Sequence, residues 1–139
     1  MTTTTVLKRK PRKTAESTPL LSPLKVNDGI INDLTAVFKL LADKSRLKIV
    51  LALSEQGRMH VSALCELLKQ SQPAVSHHLT LMRMVGLVGY DRNGKHNFYY
   101  LASDYLRDLF EQFFSHAGNA GQTLDFDAFA LTYSRKDDD

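Results

Sequence analysis

One cysteine in 139 residues, Cys65, leaves no partner for an intrachain disulfide. The fold must hold without covalent cross-links and suits a reducing compartment, and a bridge between two subunits is the one disulfide still open. No apolar run approaches the roughly 20 residues that cross a bilayer, so a soluble protein with no membrane partner is expected. The first residues are basic, but VLKRKPRKTAESTPLLSPLKV is broken by charge and three prolines. It has no continuous apolar core of the kind a secretion signal needs, and the expected location is the cytoplasm. Also missing are internal repeats, a phosphate-cradling glycine loop, a nucleophile paired with a base and a set of convergent carboxylates. These absences exclude the commonest enzyme designs, and no cofactor is expected.

What is present is close to ordinary globular usage, with 43% hydrophobic and 24% charged residues on a chain about one domain long. The net charge of +3 is unevenly spread. Residues 1–27 carry Lys8, Arg9, Lys10, Arg12, Lys13 and Lys25 against Glu16, whereas from Asn119 onward Arg135 and Lys136 face five aspartates. A basic arm on a near-neutral body is compatible with a nucleic-acid partner. Residues 1–27, rich in Thr, Ser, Pro and Lys, cannot repay the entropy of ordering and are expected to form a flexible arm. Residues 28–118 form the expected folded domain. In 119–139 the period is too weak to assign, although Phe126, Phe129, Leu131 and Tyr133 are apolar enough to pack.

Periodicity predicts five helices. The first begins near Asp28, with Ile30, Ile31, Leu34, Val37, Phe38 and Leu41 on one stripe. The second spans roughly Lys44 to Ser54, with Leu47, Val50, Leu51 and Leu53 as its apolar positions, and ends before Gln56-Gly57. Ser62 is placed to cap a short third helix that buries Leu64, Leu67 and Leu68 and stops near Lys69. Ser71 caps a fourth, in which Pro73 falls in the first turn, where a missing N–H costs nothing, and Val75, Leu79 and Met82 line one side up to Gly86. LVGYDRNGKHNFYYL reads as two strands turning at Asn93-Gly94. Ser103 can cap a fifth helix, ending near Gly118, with Leu106, Leu109, Phe110, Phe113 and Phe114 at i, i+3, i+4, i+7 and i+8. The fold class expected is mainly α with a small β-hairpin: a winged helix-turn-helix of five helices and a two-stranded wing.

That order gives the stretch SQPAVSHHL a physical meaning. With Val75 at the centre of the buried side, steps of about 100° send His77 and Thr80 outward, flanked by Ser76. A small, polar, weakly charged face fits a major groove, where Gln72, Ser76, His77 and Thr80 can bond to base edges. His78 lies nearer the buried side and is expected to pack or to touch phosphate. Two adjacent histidines cannot form a zinc site alone, since they diverge on a helix and no further ligands complete a tetrahedron. Ser76 beside His77 is no catalytic dyad for the same reason. Backbone contacts are expected from Ser71, from Arg92, Lys95 and His96 at the wing tip, and from Lys44 and Arg46 on the second helix. Each has a plainer reading: a charged hairpin tip can be merely solvated, Arg46 can be a structural ion-pair partner, and KRKPRK can be a solubilising tail. A winged-helix module that binds a protein instead of DNA is the alternative function, and it suits the modest central charge.

LADKSRLKIVLAL, SQPAVSHHLTLMRMVGLV and YDRNGKHNFYYL together resemble the ArsR/SmtB family of bacterial transcriptional repressors over residues 30–117. The resemblance implies a sequence-specific repressor of double-stranded DNA acting as a homodimer on an inverted repeat, with residues 71–85 as recognition helix and 87–101 as wing. It also implies dimerisation through the first and last helices, hence through Ile31, Leu34, Phe38, Leu106, Leu109, Phe110, Phe113 and Phe114. The aromatic surface of that last helix independently exceeds what one small domain readily buries. Many relatives sense metals, but the two cysteine positions of the third helix hold His60 and Ser62, with only Cys65 surviving. The last-helix ligand positions hold Ser103, Tyr105, His116 and Asn119. No metal site is therefore expected, and no residue pattern names an effector. Cys65 is either a thiol sensor or, more simply, a space-filler between helices.

Overall fold

The computed structural model describes residues 26–116 and 122–136. The KRKPRK cluster, most of the expected arm and the expected helix stop at Gly118 lie outside them. The element order is α1 (Asp28–Leu41), α2 (Lys44–Gln56), β1 (Arg58–His60), α3 (Val61–Leu68), α4 (Gln72–Met84), β2 (Val88–Asn93), β3 (His96–Leu101), α5 (Asp104–His116), β4 (Thr123–Phe126) and β5 (Phe129–Thr132). Strands β1, β3 and β2 form one antiparallel sheet in that spatial order, and β4 pairs only with β5. The fold is the expected winged helix-turn-helix. Among the described residues no helix is long and apolar enough to cross a membrane.

Four of the five helices begin on a polar cap. Asn27 accepts the N–H of Ile30 at 2.9 Å, and Asp43 accepts that of Arg46 at 3.1 Å; each such bond satisfies one of the N–H groups that a helix start leaves unpaired. Because Val26 is buried and Asn27 is this cap, the ordered body already includes the last two residues assigned to the arm. At the start of α3 the capping group is not Ser62. The His60 imidazole accepts the Ser62 N–H at 3.1 Å, and the helix starts at Val61, two residues earlier than a Ser62 cap would set it. The cause is β1, a three-residue strand too short to show a period, whose pairing with β3 holds His60 extended opposite Phe98.

The core is built from one side of each helix. Ile49, Leu64, Val75, Leu79 and Met82 are completely buried. On α2 the expected apolar set is rotated: Ile49 and Leu53 face inward while Leu47 and Leu51 are about half exposed. Positions 47 and 51 lie about 200° round the helix from 49 and 53, so packing one pair against the other helices expels the other pair. Leu67 of α3 is likewise exposed.

Two further details set the wing. The hairpin loop is Gly94-Lys95, one step later than Asn93-Gly94, because Asn93 pairs with His96. Gly94 supplies the positive φ of 63° that the tight turn requires. Lower in the hairpin Gly89 stands opposite Tyr100, whose ring lies across it so closely that a Cβ at position 89 would sit 2.6 Å from the phenol oxygen. The C-terminal segment, unassigned from sequence, folds back as the β4–β5 hairpin. Tyr133 stacks on Phe114 at 5.8 Å and donates a hydrogen bond to Glu111.

Candidate nucleic-acid interface

The interface is built on α4. Ser71 accepts the Ala74 N–H at 3.4 Å, and Pro73 occupies the first turn. Before it, Lys69 adopts a left-handed φ of 53° and ends α3, so the two helices meet across a three-residue turn. Gln70 in that turn donates to the Ser45 hydroxyl at 2.7 Å and fastens it to α2. With Val75, Leu79 and Met82 buried, Gln72, His77 and Thr80 stand exposed and Ser76 is half buried. Thr80 donates its hydroxyl to the Ser76 carbonyl at 2.9 Å, which leaves its oxygen facing outward chiefly as an acceptor. The structure thus brings the four expected base-reading residues onto one side of one rigid helix.

The expected backbone contacts separate. Lys44, Ser71, Arg92, Lys95 and His96 are exposed. His96 also stands edge-on to His60 with ring centres 5.2 Å apart, so this end of the wing is packed against the cap of α3. Arg46 is engaged within the protomer. Its Nε donates to His78 Nδ1 at 3.2 Å and its guanidinium also donates to the Leu40 carbonyl at 3.1 Å. These bonds tie the end of α1 and the start of α2 to the back of α4, making Arg46 a structural brace and fixing His78 as a packed histidine. Asp43 completes this corner. The N–H of Arg46 bonded to its carboxylate, aided by the nearby Arg46 charge, holds its pKa below the ordinary value against a smaller opposing effect of burial.

The residues expected at a dimer interface also divide. Leu34, Leu109 and Phe114 are already buried within the single protomer. Phe38 is 55% exposed, while Ile31, Leu106, Phe110 and Phe113 are half buried. Part of the aromatic excess on α5 is absorbed by Tyr133, which the sequence pattern gave no reason to place there. Cys65 is half buried against the core beside other α3 residues, as a space-filling thiol would be. Among the described residues no group of three metal-ligating side chains converges. His60 and Ser62, at the positions where the resemblance implies cysteine ligands, bond to each other at 2.7 Å.

One surface residue escaped the sequence reading. Arg83, the sole charged residue of α4, lays its guanidinium over the Tyr90 ring at 3.9 Å from the centroid. The only signal was its position one turn past Thr80, and the pairing with β2 depends on the turn at Gly86.

Residues 43–90 match the model of the bacterial regulatory protein family named arsR. A cadmium resistance transcriptional regulatory protein CadC homolog of Staphylococcus aureus is 34% identical over 84 residues, covering 60% of this chain and 69% of that protein. The chain belongs to the arsR family. An uncharacterized HTH-type transcriptional regulator of Methanocaldococcus jannaschii is 37% identical over 73 residues, covering 52% of this chain and 82% of that protein. Among solved structures, HlyU from Vibrio cholerae superposes with a TM-score of 0.54 at 28% identity, covering 60% of this chain and 89% of that one. As an arsR-family protein the chain is a DNA-binding transcriptional regulator and not an enzyme.

Proposed function

We propose that the protein is a cytoplasmic repressor that binds an inverted repeat of double-stranded DNA as a homodimer. The observation that carries this reading is the division of α4: Val75, Leu79 and Met82 are completely buried while Gln72, His77 and Thr80 are presented to solvent. A buried side of this completeness makes the helix rigid, and a rigid helix with a nearly neutral outer face can enter a major groove. Gln72, Ser76, His77 and Thr80 then meet base edges, while Ser71, Lys44 and the wing residues Arg92, Lys95 and His96 meet phosphate or the minor groove. Dimerisation is supported by exposed Phe38 on α1 and by the half-buried residues Ile31, Leu106, Phe110 and Phe113. A two-fold axis would set the two reading helices about 34 Å apart, one turn of DNA.

Replacing His77 by Ala is expected to cost about 1–3 kcal/mol of discrimination between the operator and a scrambled duplex. Replacing Lys95 by Ala should weaken both duplexes equally. Titrations of both variants against the two duplexes test the assignment, and unchanged selectivity in the His77 variant would overturn it. A module that binds protein instead would show neither selectivity nor a steep loss of DNA affinity with salt.

A further inference from the structure

Between α4 and the wing runs an open groove of about 600 Å³, lined by Thr80, Arg83 and Met84 on one side and by Gly89, Tyr90 and Tyr100 on the other. It begins beside Thr80 on the exposed side of α4 and ends on the sheet. Three cations border this sheet, and the structure uses them differently. Arg58 is paired with Asp91 and sits over Tyr100, 5.0 Å from its centroid, so it is committed within the protein. Arg92 extends from the upper wing. Arg83 is exposed, and among the described residues its guanidinium has no carboxylate or carbonyl partner. What it has is the Tyr90 ring beneath its flat face.

Stacking on an aromatic face engages the plane of a guanidinium and leaves its edge, which carries the N–H donors, for a second partner. It also fixes the orientation of a side chain that would otherwise lose considerable rotamer entropy on binding. A planar cation held in place on a groove wall, with the Thr80 hydroxyl nearby and no anion to satisfy it among the described residues, is suited to an oxygen anion that arrives from outside. The proposed function puts one there, because a strand that leaves the major groove beside α4 must cross toward the wing. We infer that Arg83, held by Tyr90, binds a backbone phosphate of the DNA strand that runs through this groove. The inference rests on the DNA-binding reading and adds a contact that neither the recognition helix face nor the wing tip supplies. Met84, 77% exposed next to it, would line the path of the sugars with an uncharged, adaptable side chain.

The test is a salt titration of binding to a duplex selected from a randomised pool and to its scrambled counterpart, with wild type, Arg83→Gln and Arg83→Lys. For a phosphate contact, Arg83→Gln lowers the slope of log affinity against log salt by about 0.9 for each protomer bound and weakens both duplexes by the same factor. Arg83→Lys keeps the slope, because the charge remains, but loses affinity with the stack. Circular dichroism of each variant should match wild type, since Arg83 is exposed. An Arg83→Gln protein with the wild-type slope overturns the inference while leaving the DNA-binding reading intact. A loss confined to the selected duplex overturns it as well, by making Arg83 a base reader. A wild-type protein whose binding ignores salt overturns both.

Discussion

Arg46 separates two roles that the sequence alone leaves open, and Arg46→Met is the substitution that decides between them. Methionine keeps most of the aliphatic stem and removes the donors. Two bonds disappear, to His78 Nδ1 at 3.2 Å and to the Leu40 carbonyl at 3.1 Å. Both acceptors lie in a half-buried corner that water can partly reach, so each bond is worth nearer to 1 kcal/mol than to the upper figure for charged donors, and the sum is about 2 kcal/mol. For a domain of this size each kcal/mol lowers the melting temperature by about 4–8 °C, which predicts a fall of roughly 10 °C. The assay pairs thermal melting with the salt dependence of DNA binding. A brace lowers the melting temperature and leaves the salt slope alone. A melting temperature within about 1 °C of wild type, together with a slope reduced by about 0.9 per protomer, would refute the structural reading and restore Arg46 as a phosphate contact.

Two further substitutions probe the framework. Gly89→Ala forces the Tyr100 ring to swing off its strand, at an expected cost of about 1–3 kcal/mol in urea unfolding. Most of that loss should vanish when Tyr100 is first replaced by Val, and additive losses would show that the crowding is not the cause. Asp43→Asn keeps a capping oxygen but removes the charge. The Asp43 pKa is depressed in the folded protein, so its stabilising effect is present above the ordinary carboxylate value and is lost as pH falls through the lowered one. The variant should therefore be less stable than wild type at pH 7 and lose less stability on acidification, the two converging toward pH 2, as read from urea midpoints between pH 7 and pH 2. An acid limb as steep as wild type would contradict this.

Several elements were legible because one residue type dictates each. Ser71 and Pro73 mark the start of α4, Val75, Leu79 and Met82 its buried side, and Gly94 the wing turn. The outward position of His77 follows from that same register. Other features depend on contacts between distant segments, which local pattern does not carry. The strand β1 exists because β3 is available to pair with it, and it moves the α3 cap from Ser62 to His60. On α2 both Leu47/Leu51 and Ile49/Leu53 satisfy a four-residue spacing, and only the neighbouring helices choose between them. Leu34, Leu109 and Phe114 were read as interface residues from their position on α1 and α5, yet the protomer fills its own core with them. The Arg46 brace and the Arg83 stack join residues whose side chains meet only in three dimensions. Tyr133 covers Phe114 by returning across a segment with almost no apolar period.

The central claim is that α4 reads DNA from a two-fold dimer, and the most direct measurement is a footprint of the protein across its own promoter at low salt. Protection of an inverted repeat, with half-site centres about one helical turn apart and fading steeply as salt is raised, is the predicted result. Uniform protection along the duplex, or none at any salt concentration, would contradict it.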